Sequence, residues 1–165
     1  MMPKQADKEQ PLGLFANERE TNLDSMVVMM EDVLIDLGHI VHECRCDRRG
    51  SDQSWTIRKG SAAIDIDLVE HPGSYRLRVS ATVMTLSENV KREALFARLL
   101  ALNAVEITGA AFALQDSKVL LLSERSTMDL DRSELHDLVS TVQVFADEYD
   151  DKLVDEFGGM LGSKP

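Results

Sequence analysis

The sequence predicts an α+β domain of two layers, in which three helices pack on an antiparallel sheet of about five strands in the order α-β-β-β-α-β-β-α. Three observations predict this fold. Apolar residues recur at helical spacing near the start, the middle and the end of the chain. Between these stretches, several segments alternate apolar and polar residues, which is typical of strands with one wet face. Short turns join these segments, so they are expected to pair as hairpins.

The composition is that of one soluble domain. The chain has 165 residues, enough to bury a core, and 44% of them are hydrophobic. Only 5% are aromatic, so aliphatic side chains and methionine must fill that core. A formal net charge of −11 repels phosphate backbones and anionic lipid, and no apolar run is long enough to span a bilayer. We therefore expect neither a nucleic-acid nor a membrane partner.

The ends of the chain differ in composition from its middle. Residues 1–20 lack periodicity and predict a flexible N-terminal tail, residues 21–158 a single α+β domain, and residues 159–165 a flexible C-terminal tail. The first residues contain no apolar segment of the kind found in secretory signals. Cys44 and Cys46 lie too close on an extended strand for an easy disulfide. These features predict a cytoplasmic protein with reduced thiols.

The first predicted helix runs from Thr21 and ends at Gly38, where a left-handed residue is favoured. Its apolar stripe consists of Leu23, Met26, Val27, Met30, Leu34 and Leu37. Met26, Met29 and Met30 are candidate partner-binding residues, because flexible thioether side chains adapt to varied peptides. Core filling is the alternative for Met26 and Met30. Met29 lies off the stripe and is the better candidate for an exposed contact.

Charged residues indicate how the first long hairpin pairs. With a turn at His71-Pro72, Asp67 is expected to oppose Arg76, and Asp65 to oppose Arg78. A slip by one residue would set apolar side chains against charged ones and is disfavoured. A slip by two residues remains open.

The second helix, predicted from Ser87 to Glu106, is apolar nearly all round in its latter half. Two explanations are open: the helix lies deep in the monomer, or it forms a homodimer interface. The candidate interface residues are Leu95, Leu99 and Leu102.

A second hairpin and a long final helix complete the fold. The hairpin turns at Asp116-Ser117, and its two arms are apolar on both faces, which predicts central or doubly covered strands. The last helix begins near Asp131 and ends at Gly158-Gly159. One face of this helix is predicted to be buried and the other is strongly acidic. The predicted buried stripe consists of Leu135, Leu138, Val139, Val142, Phe145, Ala146, Tyr149 and Leu153.

The segment from Val41 to Asp47 concentrates the residues that bind metals. If it is a strand, His42, Cys44 and Cys46 share one face, and His71 is a possible fourth zinc ligand. Structural zinc sites normally use pairs separated by a turn, so the main interpretation is a structural strand and no cofactor is predicted. The alternative is a small metal- or redox-responsive protein that uses His42, Cys44 and Cys46.

The sequence contains no constellation of catalytic residues. A pairing of Cys44 with the nearby histidines lacks an oxyanion-hole loop or any other enzyme motif. We therefore expect no enzymatic activity.

The run from Leu95 to Leu153 resembles the YbjN-type domain and, more distantly, type III secretion chaperones of the Tir-chaperone kind. The resemblance lies in Leu99-Leu100 followed by Leu102-Asn103, then Gly109 and its apolar hairpin, and a final helix with Phe145-Ala146-Asp147 and Tyr149-Asp150. It implies a small, acidic, cytoplasmic and dimeric protein that binds protein segments without catalysis. It supplies no catalytic residues.

The resulting hypothesis is a non-enzymatic protein-binding module, chaperone-like or regulatory. It would bind an extended protein segment as a homodimer, through apolar contacts and main-chain pairing at a sheet edge.

Overall fold

The computed structural model describes residues 13–162, with side chains from Asn22 onward. The helices in this part are α1 (Gly13–Asp36), α2 (Val41–Cys44), α3 (Arg92–Val105) and α4 (Arg132–Phe157). The strands are β1 (Arg45–Cys46), β2 (Gln53–Lys59), β3 (Ala62–His71), β4 (Ser74–Thr85), β5 (Ala111–Gln115), β6 (Lys118–Ser126) and β7 (Met160–Leu161).

All strand pairs are antiparallel, and the sheet order is β1-β2-β3-β4-β6-β5, with β7 paired to the end of β4. The three long helices and five long strands follow the predicted order, so the predicted α+β fold is confirmed. The sequence did not predict the single turn of α2 or the strand β7, and β1 comprises only two residues of the segment Val41 to Asp47, for which a strand was considered. The strands β5 and β6 are apolar on both faces, but β5 lies at an edge of the sheet, not in its centre.

The core lies between α4 and the middle of the sheet. Every second residue of β3 and β4 faces the helices and is fully buried: Ile64, Ile66, Leu68, Leu77, Val79 and Ala81. The stripe of α4 that meets them comprises Leu135, Val139, Val142, Ala146 and Leu153. At its N-terminus, Asp131 accepts a hydrogen bond from the backbone of Glu134, whose side chain accepts one from the backbone of Asp131. This capping box fixes where α4 starts.

The β3–β4 hairpin pairs two residues away from the expected register. Asp67 opposes Arg78 instead of Arg76. Pro72 and Gly73 form a two-residue loop, in which proline fixes its own φ and Gly73 takes a positive φ of 90°. Both registers set Asp67 against an arginine, so the position of this tight turn, one residue later than expected, distinguishes them. The predicted faces are right, because a shift by two keeps each side chain on its side of the sheet.

Both ends of the predicted domain differ from the structure. The first helix begins at Gly13, eight residues before the predicted start, so part of the expected N-terminal tail is helical; residues 1–12 lie outside the described part. Its last residue is Asp36, and Gly38 just beyond it has a φ of +83°, the left-handed conformation expected there. At the other end, Met160 and Leu161 pair with β4, although we expected a tail from residue 159. Residues 163–165 lie outside the described part.

The start of α3 also differs from the prediction. The helix begins at Arg92 rather than Ser87, and its N-cap residue, Lys91, makes no side-chain capping bond. Ser87 instead accepts a backbone hydrogen bond from Val90 in the preceding turn.

A polar network on the open face ties the β1–β2 loop to the sheet. Arg48 forms ion pairs with Asp67 and with Asp65, the latter at 2.9 Å. Ser54 donates a hydrogen bond to Asp67, and Thr56 donates one to Asp65, both at 2.9 Å. Asp67 is buried, and burying a carboxylate costs free energy unless polar partners bind it. Arg48 and Ser54 are such partners.

Replacing Arg48→Met is expected to lower the free energy of unfolding by about 1–3 kcal/mol, because it removes the cation that serves a buried carboxylate. The control is Arg49→Met, at a neighbouring exposed arginine with no ion pair among the described residues. Urea denaturation measures both variants. Equal losses in the two would show that the Arg48 network contributes nothing specific.

Candidate functional site

The three candidate methionines occupy two different environments. Met26 and Met30 are buried in the core, as the core-filling alternative had it. Met29 is partly buried and packs against the core from the flank of α1. Only Met29 among the three therefore offers surface to a partner, and part of its side chain also serves stability.

The outer face of α1 carries a pair of exposed apolar residues. Val28 is 60% exposed and Ile35 is 59% exposed. The two residues are seven positions apart in the sequence, so they lie on the same face, about 10 Å apart along the helix axis. Glu31 of this helix binds Arg45 of β1 at 2.5 Å. The outer face of α1 is thereby placed next to the β1–β2 edge of the sheet.

The three leucines assigned to a dimer interface, Leu95, Leu99 and Leu102, are buried within the single chain. They hold α3 against the core and present no surface to a second copy in this structure. The explanation by deep placement in the monomer thus accounts for these three residues.

A second apolar stripe of α3 faces solvent. It consists of Ala97, Leu100, Ala101, Ala104 and Val105, all exposed, at the spacing of one helical face. Leu100 is 68% exposed and Val105 is 84% exposed. The α3 stripe, as we call these five residues, lies opposite the buried leucines. The helix therefore has the two apolar faces that the sequence indicated, with the exposed one made of different residues.

One side chain of α3 covers part of the β5 edge. Phe112 donates its backbone N–H to Asn103 Oδ1 at 2.7 Å, and Asn103 Nδ2 donates to the Phe112 carbonyl at 3.2 Å. The amide thus pairs with the backbone of an edge residue as a neighbouring strand would. This part of the edge is closed to further strands.

The structure does not support the alternative of a metal cluster at His42, Cys44 and Cys46. Val41–Cys44 forms one helical turn instead of a strand, so His42, Cys44 and Cys46 do not share a face. Cys44 is buried, whereas His42 and Cys46 are exposed. His71 lies at the end of β3. Among the described residues, no group of three or more histidine, cysteine or acidic side chains is arranged to hold a metal ion.

The two cysteines are free thiols in different settings. Cys44 donates a hydrogen bond to the Ile40 carbonyl at 3.3 Å. Burial, and then the charge of Glu43, raise the pKa of Cys44, which disfavours the reactive thiolate. Cys44 is therefore a core residue.

An aromatic residue connects α4 to the end of α3. Tyr149 packs edge-on against Phe112, with ring centroids 5.6 Å apart. Its hydroxyl donates a hydrogen bond to Glu106 Oε2 at 2.5 Å. This hydrogen bond, together with burial, raises the pKa of Tyr149 to about 12.

Comparison with known proteins assigns the chain to a family. The family described as T3SS (YopN, CesT) and YbjN peptide-binding chaperone 1, TY-Chap1, matches residues 24–163. The chain belongs to this family. The resemblance seen in the sequence is confirmed. A comparison with curated protein sequences gave no match.

Solved structures with the same fold include chains from three complexes. The HopA1-SchA chaperone-effector complex gives a TM-score of 0.55 at 11% identity, covering 80% of this chain and 97% of that chain. The ExsC-ExsE complex gives 0.57 at 13%, covering 79% and 94%. The heterodimeric ExoU-SpcU complex from the type III secretion system of Pseudomonas aeruginosa gives 0.53 at 13%, covering 77% and 96%. At these identities the likeness shows the shared fold. None of the described helices has the length and apolar character that a membrane span requires.

Sequence reasoning missed several residues of these surfaces. Asn103 was noted in the family pattern, but its contact with β5 crosses from a helix to a strand and leaves no local signal. Leu100 and Val105 belong to the apolar pattern that covers both faces of α3. The leucines of the other stripe, Leu95, Leu99 and Leu102, lie on the buried side. The pairing of Tyr149 with Glu106 joins two helices far apart in the sequence and has no signal in spacing.

Tyr149→Phe is expected to cost about 1 kcal/mol of unfolding free energy near pH 8, because it removes one hydrogen bond. A folded-state pKa above the unfolded value of about 10 means that the bond contributes fully below pH 10 or so. That contribution is lost as the pH rises through about 12. The stability difference between wild type and variant should therefore shrink between about pH 10 and pH 12 in urea denaturation. A difference that stays constant over this range would contradict the raised pKa.

Proposed function

We propose that the protein binds an extended segment of another protein, as a chaperone-like or regulatory partner, and acts by binding and not by catalysis. The observation that carries the proposal is the match of residues 24–163 to a family of peptide-binding chaperones. The similar folds found in chaperone-effector complexes support it. Both cysteines are free thiols, which agrees with the predicted cytoplasmic location.

The binding surface that we propose combines the outer face of α1 with the neighbouring edge of β2. Ordering a flexible segment costs entropy, so apolar contacts must offset it, and Val28 and Ile35 are the exposed apolar residues available on α1. Met29 adds its exposed part. Beside them, β1 covers β2 only at Ser54 and Trp55. The rest of β2 has no strand partner on that side among the described residues, so the backbone of a bound segment has an edge to pair with.

We further propose that the protein is a homodimer formed through the α3 stripe. Its three alanines allow two helices to approach closely, while Leu100 and Val105 supply the large apolar side chains. An apolar helix face left in water favours association. This surface replaces the one assigned from the sequence, because the three leucines are occupied inside the monomer.

The double substitution Val28→Glu with Ile35→Glu is expected to weaken partner binding at least about tenfold, because it places two charges in an apolar contact. Tagged wild type and variant are used to capture proteins from lysate of the source organism. The dominant captured protein is identified by mass spectrometry, purified, and titrated against both forms.

The control for this pair is Met160→Glu, which changes an equally exposed apolar residue in β7. All variants should keep the wild-type denaturation midpoint, because the replaced side chains face solvent. Equal affinity of wild type and the double variant would exclude the α1 face. Failure of the wild type to capture any protein would count against the proposed function itself.

Leu100→Glu with Val105→Glu is expected to convert the dimer to a monomer. Sedimentation equilibrium should give twice the 18.4 kDa chain mass for the wild type and the single mass for the variant. Val144→Glu, at an exposed valine of α4, serves as the control and should remain dimeric. A monomeric wild type, or a dimer that survives the double substitution, would refute the α3 interface.

A further inference from the structure

A cavity of about 440 Å³ lies between Arg98 of α3 and the C-terminal half of α4. Its lining residues are Arg98, Tyr149, Lys152, Leu153, Asp155 and Glu156. Tyr149 and Leu153 are almost fully buried and supply an aromatic and aliphatic wall. This volume falls in the range of sites that accept a side chain or a small molecule.

Two cationic side chains of the protein itself, Arg98 and Lys152, line this cavity. Lys152 Nζ lies 5.1 Å from the centroid of the Tyr149 ring and 2.8 Å from Glu148. This cation–π contact shows that the wall favours a positive group. Lys152 is an exposed, flexible side chain, so an incoming cation can take its place over the ring.

Carboxylates outnumber cations around the cavity. Arg98 lies 3.8 Å from both Glu106 and Glu156, too far for a direct hydrogen bond to either. Asp155 has no ion-pair partner among the described residues. Asp155 and Glu156 line the cavity with the two cations. Glu106 and Glu148 bind lining residues from outside it, so four carboxylates surround two cations on a chain whose net charge is −11. The electrostatic balance therefore favours one more positive group and disfavours an anion.

We propose that this cavity binds the side chain of an arginine in the partner segment. Its guanidinium stacks on Tyr149 in place of Lys152 and pairs with Asp155 and Glu156. Arginine fits better than lysine, because its planar guanidinium is weakly hydrated, stacks on aromatic rings and presents a fork of donors to carboxylates. The inference rests on the proposed function, since it names one chemical feature of the bound segment.

The test needs no partner. The full chain, labelled with ¹⁵N, is titrated with N-acetyl-arginine N-methylamide and, as the neutral isostere, with N-acetyl-citrulline N-methylamide. We expect the arginine probe to shift backbone amide signals of residues 98 and 149–156, with weak affinity, and the citrulline probe to leave them unchanged. Equal responses to both probes, or shifts spread over other acidic surfaces, would overturn the proposal.

Two substitutions sharpen the titration. Glu156→Gln should weaken binding of the arginine probe about threefold, and Lys152→Met should strengthen it about threefold, because the competing cation is gone while the apolar stem remains. Lys118→Met, which removes an exposed lysine outside the cavity, should change nothing. Weaker binding by Lys152→Met would show that Lys152 helps to bind the probe and would refute the replacement.

A separate experiment distinguishes failure of this inference from failure of the proposed function. Once a partner is purified, its arginines are changed to glutamine one at a time. One of these changes should weaken binding to wild type but have little effect on binding to Glu156→Gln. If the partner binds and no such arginine exists, the cavity proposal is refuted and the binding function stands.

Discussion

The packing of α4 across the sheet is the interaction on which the rest of the structure depends. Its apolar stripe meets the buried residues of β3, β4 and β6, and α1 packs on α4 in turn. The tip of the β2–β3 hairpin is fixed to the same helix, because Ser61 donates a hydrogen bond to buried Asp150 at 2.5 Å. Since one helix fixes both the sheet and α1, the α1 face and the neighbouring sheet edge keep a constant relative position.

Five of the exposed large apolar residues among the described residues lie outside α1 and α3, but the two groups on these helices carry the two proposed contacts. On α1 they lie beside an incompletely paired edge strand, which suits a partner in extended conformation. On α3 they form a continuous stripe with small residues, which suits another helix. The two proposed contacts use different residues on different helices.

Much of the fold follows from periodicity in the sequence. The stripe of α4 and the glycines that end α1 and α4 are local features, and the sequence predicted them correctly. The register of β3 on β4 was missed by two residues, because the turn lies at Pro72-Gly73 instead of His71-Pro72 and both registers set Asp67 against an arginine. The single turn of α2 replaced a predicted strand, since a four-residue helix is too short to show a period.

The site was less predictable than the fold. Both faces of α3 are apolar, so the sequence left burial in the monomer and a dimer interface open, and the leucines it assigned to the interface are the ones that the core uses. The contacts of Arg48, Asn103 and Tyr149 join residues from different elements, and side-chain positions of that kind depend on the assembled fold. The cysteines and histidines near residue 42 drew attention because these residue types bind metals. The helical turn of α2 points their side chains in different directions.

The amide of Asn103 gives the sheet a terminus of an unusual kind. A further strand placed beside β5 would satisfy Phe112 but would present a new row of donors and acceptors on its far side, so the problem of the open edge would only move outward. A single amide offers one donor and one acceptor and nothing beyond them. A strand of a second copy therefore cannot pair with β5 at Phe112, and no additional strand of the chain is needed to prevent it. The two edges of the sheet thus differ: the Asn103 amide occupies the β5 edge at Phe112, whereas β1 pairs with the β2 edge only at Ser54 and Trp55.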